Sequence, residues 1–246
     1  MQQRVVLWYN DTMKVYAISD LHLATNANKP MDVCAGWENH IDKICEDWRQ
    51  KVQAEDVVLL CGDLSWAMQY KDAVQDIDLI GSLPGRKVII KGNHDYWWQS
   101  ITQLRASLPK GMYALQNDII QLPTTTAENA RKLVICGTRG WFVGSSEQDK
   151  KIYHREVERL KLSLQSLKKQ ASPNDIILAM SHYPPYGAQV SKTPFTDLYT
   201  EYGIQTVVYG HLHGTHNRTP QKVQIDNTQY ILTSCDLVGH KLVEIF

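Results

Sequence analysis

Six short apolar runs, rich in β-branched residues, recur along the chain, and each stops abruptly at a polar turn. They are Val15–Ser19, Val57–Cys61, Lys87–Lys91, Leu133–Gly137, Ile176–Ser181 and Thr206–Tyr209. Runs this short and this continuously apolar are strands covered on both faces, because a strand with one wet face alternates. Longer amphipathic stretches separate them and predict helices near Trp37–Val52, Tyr70–Ile80, Tyr96–Ser107, Asp149–Lys169 and Pro194–Tyr202. In the fourth of these, Ile152, Val157, Leu160, Leu164 and Leu167 recur at helical spacing between Lys and Glu. Three later strands are expected at Val223–Ile225, Tyr230–Thr233 and Leu242–Phe246, with Asp226-Asn227 as a turn. Alternating strands and helices predict an α/β domain, and the late strands a second, mixed sheet packed on the first.

No internal repeat or Pro/Gly-rich linker divides the chain, so residues 13–246 read as one domain. Residues 1–12 read as a peripheral extension or a start-site artefact, because the strand-like run begins directly after Met13. Thr124–Ala130 reads as a polar loop. Lys plus Arg and Asp plus Glu both total 26, which leaves no global field for nucleic acid or an anionic membrane. No window is apolar for long enough to span a bilayer, and the start lacks the pattern of a secretory signal. Five cysteines without a CxxC pair fit a reducing cytoplasm, with Cys61 and Cys136 as buried small hydrophobes.

The chemistry sits where the strands stop. Asp20-Leu21-His22 follows the first, and Gly62-Asp63 the second. Gly92-Asn93-His94-Asp95 follows the third, with Asn93 also a candidate N-cap for the next helix. Ser181-His182-Tyr183-Pro184-Pro185 and Gly210-His211-Leu212-His213 follow the last two. Ligands of open α/β sheets collect at the carboxyl ends of strands. A single histidine there is usually structural. Five of the nine, joined by two aspartates and an asparagine, point to metal ions.

D-x-H, G-D, G-N-H-D, a strand-end His and G-H-x-H, in this order from Asp20 to His213, resemble the calcineurin-like metallophosphoesterase superfamily. The resemblance implies two packed mixed β-sheets flanked by helices in a four-layer αββα sandwich. It implies one metal held by Asp20, His22, Asp63 and His213, and a second by Asp63, Asn93, His182 and His211, with Asp63 bridging. It also implies that His94 faces the phosphate and leaving group rather than a metal.

Oxygen and imidazole ligands without thiolates suit two divalent ions such as Mn, Fe, Zn, Co or Ni. Such a pair can activate water for attack on a phosphoester. His94 is the candidate acid, and Asp95 either orients it or caps the following helix. Arg139, in the turn after the fourth strand, is a candidate phosphate contact, with a surface salt bridge as the commoner use of such an Arg. His216 could line the site; His40, His154 and His240 have no partner motif. Trp66, Trp97, Trp98 and Trp141 lie near motifs and permit a nucleotide-like substrate, although core packing is the commoner role.

After Gly62-Asp63 the chain reads Leu64-Ser65-Trp66 rather than V-D-R-G, and it has G-N-H-D rather than G-N-H-E. Both departures count against a protein phosphatase. The expectation is a bacterial-type phosphohydrolase acting on a phosphodiester or small phosphomonoester. A non-catalytic scaffold of the same fold is the rival from another class. A lactamase-type hydrolase would carry a clustered H-x-H-x-D-H signature, which is absent.

Overall fold

A computed structural model describes residues 13–27, 29–125, 131–214 and 219–246. Residues 1–12, most of the Thr124–Ala130 loop and His216 lie outside the described residues. In chain order the elements are β1 Val15–Ile18, α1 His40–Lys51, β2 Val57–Leu60, α2 Tyr70–Ser82, β3 Arg86–Ile89, α3 Ile101–Ser107 and β4 Met112–Ala114. There follow β5 Ile120–Pro123, β6 Lys132–Thr138, α4 Glu147–Gln170, β7 Ile176–Ser181, α5 Pro194–Glu201, β8 Thr206–Tyr209, β9 Lys222–Ile225, β10 Thr228–Leu232 and β11 Val243–Glu244.

Two mixed sheets result, one of five strands in the order β11-β1-β2-β3-β4 and one of six in the order β5-β6-β7-β8-β10-β9. Side chains alternate across each strand, so every central strand feeds two cores. Val15 and Ala17 of β1, with Val57, Leu59 and Val88, face Leu133, Ile135, Leu178, Met180, Val208 and Ile231 of the other sheet. The opposite faces carry Tyr16, Ile18, Val58 and Leu60 against α1–α3, including Trp48 and Ile77. On the far side Val134, Cys136, Ala179 and Val207 meet α4 and α5 through Leu160, Leu164 and Tyr199. The layers are therefore helix, sheet, sheet, helix. Cys61 and Cys136 are fully buried in these cores, as expected.

Three expectations need correction. The late strands do not build a sheet of their own: β10 joins β8 in parallel, β9 pairs with β10 across Asp226-Asn227, and β11 returns to β1 in the other sheet. The second sheet begins instead at β5 and β6. The helix expected from Tyr96 starts only at Ile101, where Ser100 receives the amide of Gln103 as its N-cap. Asn93 therefore caps no helix. Strands β4 and β5 were not foreseen; both are edge strands, and β5 ends on Pro123.

The fit of α4 on the second sheet tests this packing. Leu164 is completely buried, and Leu164→Ala is expected to lower unfolding free energy by about 2–5 kcal/mol through lost burial and a cavity. Equilibrium urea denaturation measures it; a loss below about 1 kcal/mol would mean that α4 is not packed as described.

Candidate metal centre

The loops that leave β1, β2, β3, β7 and β8 meet at one end of the two sheets. Their backbones are bonded to one another: Asp20 N–H donates to Gly62 O, His22 N–H to Asp63 O, and Gly210 N–H to His182 O. The turns are tight. Asp20, His22, Asp63 and His211 all have left-handed backbone, with φ of 57°, 48°, 53° and 69°. Strained non-glycine residues of this kind cost roughly 1–3 kcal/mol each and gather at functional sites. The motif glycines allow the loops to close. A Cβ on Gly92 would lie 2.1 Å from Asp63 Oδ1, and one on Gly210 2.3 Å from Ser19 Oγ.

Asp20, His22 and Asp63 are buried, His182 fully so, and His213 is exposed at the rim. Candidate ligand atoms of Asp20, His22 and His213 lie within 4.8 Å of one another, as do those of Asp20, Asp63 and His182. Asn93 joins them. His182 Nε2 is 2.7 Å and His211 Nδ1 2.9 Å from the same Asn93 Oδ1, while Asp63 Oδ2 lies 3.5 Å from His182 Nε2. All seven predicted ligands therefore fall in one cluster.

The protonation of His182 decides what this cluster can hold. Its Nδ1 lies 2.8 Å from Cys61 O, a carbonyl that can only accept. The neutral ring must carry its hydrogen there, which turns the bare Nε2 lone pair toward the oxygens of Asn93 and Asp63. Burial keeps the ring neutral, pushing its pKa down to about 4. Burial likewise lowers His211 to about 4 and His22 to about 2, with neighbouring histidines adding to the effect. Both ring nitrogens of His22 are buried and lack a hydrogen-bond partner. Burial raises Asp63 to about 9, and the charges of Asp95 and Asp20 add to this. Lone pairs without donors, neutral imidazoles and a carboxylate starved of positive charge are what a bound cation requires. The residues fit divalent metal.

Each acceptor is steadied from behind. Asp20 Oδ2 accepts from Ser19 Oγ at 2.6 Å, Ser234 Oγ at 2.8 Å and His211 N at 3.0 Å. Asp63 Oδ1 accepts from His94 N at 2.8 Å. Asp95 does not touch the His94 ring. Its carboxylate takes the amides of Gly92, Asp63, Leu64 and Ser65 and the Trp97 indole N–H, all between 2.8 and 3.3 Å. It ties the Asp63 loop to the Asn93 loop, so the expected role as orienting partner of His94 gives way to a positioning role.

His94 stands half-buried at the rim, its ring centroid 4.4 Å from that of Trp66, which also stacks on His22 at 4.5 Å. Tyr183 lies over His211 at 4.0 Å and leads outward to Trp141 and the exposed Phe142. Trp97 and Trp98 pack in the core. Arg139 is turned away into a neighbouring cavity, bound to Glu156 at 3.1 Å. His40, which had no motif, bonds Leu21 O at 3.1 Å and so supports the His22 loop. Ser234 was missed as a site residue, whereas Trp66, expected near a motif, does lie against His94 and His22. A Ser after a late strand carries no signal in the sequence.

Residues 13–215 match the family model of the calcineurin-like phosphoesterases. No curated protein matches the chain. Among solved structures, TT1561 of Thermus thermophilus is 11% identical over 94% of this chain and 97% of its own, with a TM-score of 0.61. A protein of unknown function, AQ665 from Aquifex aeolicus, is 16% identical over 94% and 95%, with a TM-score of 0.52. At these identities the likeness is one of fold.

Without a cation the site costs stability in two directions. Asp63, raised from 3.8 to about 9, penalises the folded chain increasingly as pH rises between those values. His22, His182 and His211, lowered from 6.5, penalise it as pH falls below 6.5. Mn at pH 7 is expected to raise the melting temperature by several degrees over chelated protein, and the gain should shrink toward pH 5 as protons compete for the ligands. Differential scanning fluorimetry reads this; identical melting with Mn and with chelator would refute a cation site.

Proposed function

The chain belongs to the calcineurin-like phosphoesterase family, and on that premise we propose that it is a metal-dependent phosphohydrolase with a dinuclear centre. The convergence of His182 Nε2, His211 Nδ1 and Asp63 Oδ2 around Asn93 Oδ1 carries this reading. Asp20, His22, Asp63 and His213 would hold one ion and Asp63, Asn93, His182 and His211 the other, with Asp63 shared. When bound, two such ions lower the pKa of a water, neutralise phosphate oxygens and support in-line displacement.

The chain supplies the rest. Burial and the nearby His213 lower the pKa of His94, so its ring is neutral at pH 7 and still carries one N–H. That N–H is offered to the departing oxygen of the ester. Trp66 packs against His94 and His22 together and limits how far the donor can swing. Asp95 keeps the Asp63 and Asn93 loops in register from the buried side. The substrate is a phosphodiester or small phosphomonoester. Trp66, Trp141 and Phe142 supply aromatic surface beside the centre, with buried Tyr183 packed between His211 and Trp141, which suits an aryl or nucleobase group on the ester.

A screen of aryl phosphomonoesters and phosphodiesters with added Mn or Ni, with metal content measured on the same sample, tests the reading. No turnover with any metal, despite full loading, would favour the non-catalytic scaffold. His94→Ala is expected to retain both ions and lose about 10²–10⁴-fold in kcat. Loss of metal from that variant would make His94 a ligand instead. Asp63→Ala should lose metal and activity together, and two ions retained by elemental analysis would contradict a bridging role.

A further inference from the structure

Next to the metal centre, and lined by none of its ligands, lies a separate cavity of about 280 Å³. Lys91, Arg139, Arg155 and Arg159 line it, and Glu156 is the single acidic group among its lining residues. In a chain whose total charge is zero this is a strong local imbalance.

Glu156 is fully committed. One carboxylate oxygen takes Arg139 Nη2 at 3.1 Å and Arg159 Nη1 at 2.7 Å, and the other takes Thr138 Oγ1 at 2.8 Å. It anchors two of the cations and has nothing left for the others. The side chains of Lys91 and Arg155 have no hydrogen-bond or ion-pair partner among the described residues, and Arg139 Nε is buried without one. The Arg139 guanidinium is further fixed over the Trp141 ring at 4.8 Å. Polar Gln116 and Asn117 complete the wall. Charges of one sign held together at the cost of their mutual repulsion, with donors unspent, form a receptor for an oxyanion.

We propose that this cavity binds a phosphate group distinct from the one attacked at the metal centre. Its place in the chain couples it to that centre. Lys91 is two residues from Asn93, and the carbonyl of Arg139 accepts the amides of His182 and Tyr183 at 3.0 and 2.9 Å. An anion drawing on Lys91 and Arg139 pulls on the loops that carry two candidate ligands. The phosphate is either a second group on the substrate or free phosphate.

Calorimetric titration of the metal-loaded protein with inorganic phosphate separates the two sites and does not depend on turnover. Two binding events are expected. Arg155→Glu, at an exposed position on α4, should weaken one of them by at least about tenfold and spare the other, and Arg155→Lys should largely restore it. Asp63→Asn should do the reverse. A single event, or two that are both indifferent to Arg155→Glu, would overturn the proposal. An arene bearing two phosphates, compared with the same arene bearing one, identifies the source. A lower KM for the bisphosphate that vanishes in Arg155→Glu places the second phosphate on the substrate. Equal KM values alongside two calorimetric events make free phosphate the occupant.

Discussion

The interaction on which the site depends is a repulsion. Lone pairs of Asn93, His182 and Asp63 are aimed at one another across a few ångströms in a buried space. Left alone they would turn away toward donors, but the cluster is held from behind. His182 is held by the Cys61 carbonyl, Asp63 by the His94 amide, and Asp20 by two serine hydroxyls and the His211 amide. These hydrogen-bond partners at the back fix which lone pairs remain at the front. Positive charge at the centre relieves the repulsion, so the free energy of organising the cluster and that of binding a cation are linked.

Holding such an arrangement requires a rigid frame, which the two sheets supply. Strands covered on both faces have little freedom at their ends, and five of them end at the same edge. The strain of four left-handed residues is offset by packing further back rather than by local bonds. Asp95 does the joining. One carboxylate organises the backbone of two loops from different strands, so a residue that touches no candidate ligand side chain sets their spacing.

Much of this was legible in the sequence, for a specific reason. Buried parallel strands are continuous apolar runs, and a ligand at a strand end is the first polar residue after such a run, so both could be read from one pattern. β4 and β5 escaped because Met112–Ala114 is too short to show a period and β5 is an edge strand ending in proline. The delayed start of α3 escaped because the segment from Asp95 to Ser100 is amphipathic, yet is held as a turn by the Trp97 and Asp95 side chains. The resemblance named the candidate ligands, but it could not show what Asp95 holds. Glu156 was invisible for a different reason: on a helix rich in Lys and Glu it looks like one more solvated charge. Only the fold turns it inward against Thr138 and Arg139.

That inward turn accounts for the placing of charge around the centre. The ligand cluster is acidic and imidazole-rich, and the cavity beside it is basic, with Lys91 and Arg139 at the boundary. An Arg–carboxylate pair among the candidate ligands would compete with a cation for the same lone pairs. Glu156 holds the Arg139 guanidinium instead. It pairs with both Arg139 and Arg159 at the wall of the cavity. One buried glutamate therefore keeps Arg139 from pairing with the candidate ligand carboxylates and gathers two arginines at the wall of the proposed anion cavity. The two kinds of site can then lie side by side without neutralising each other.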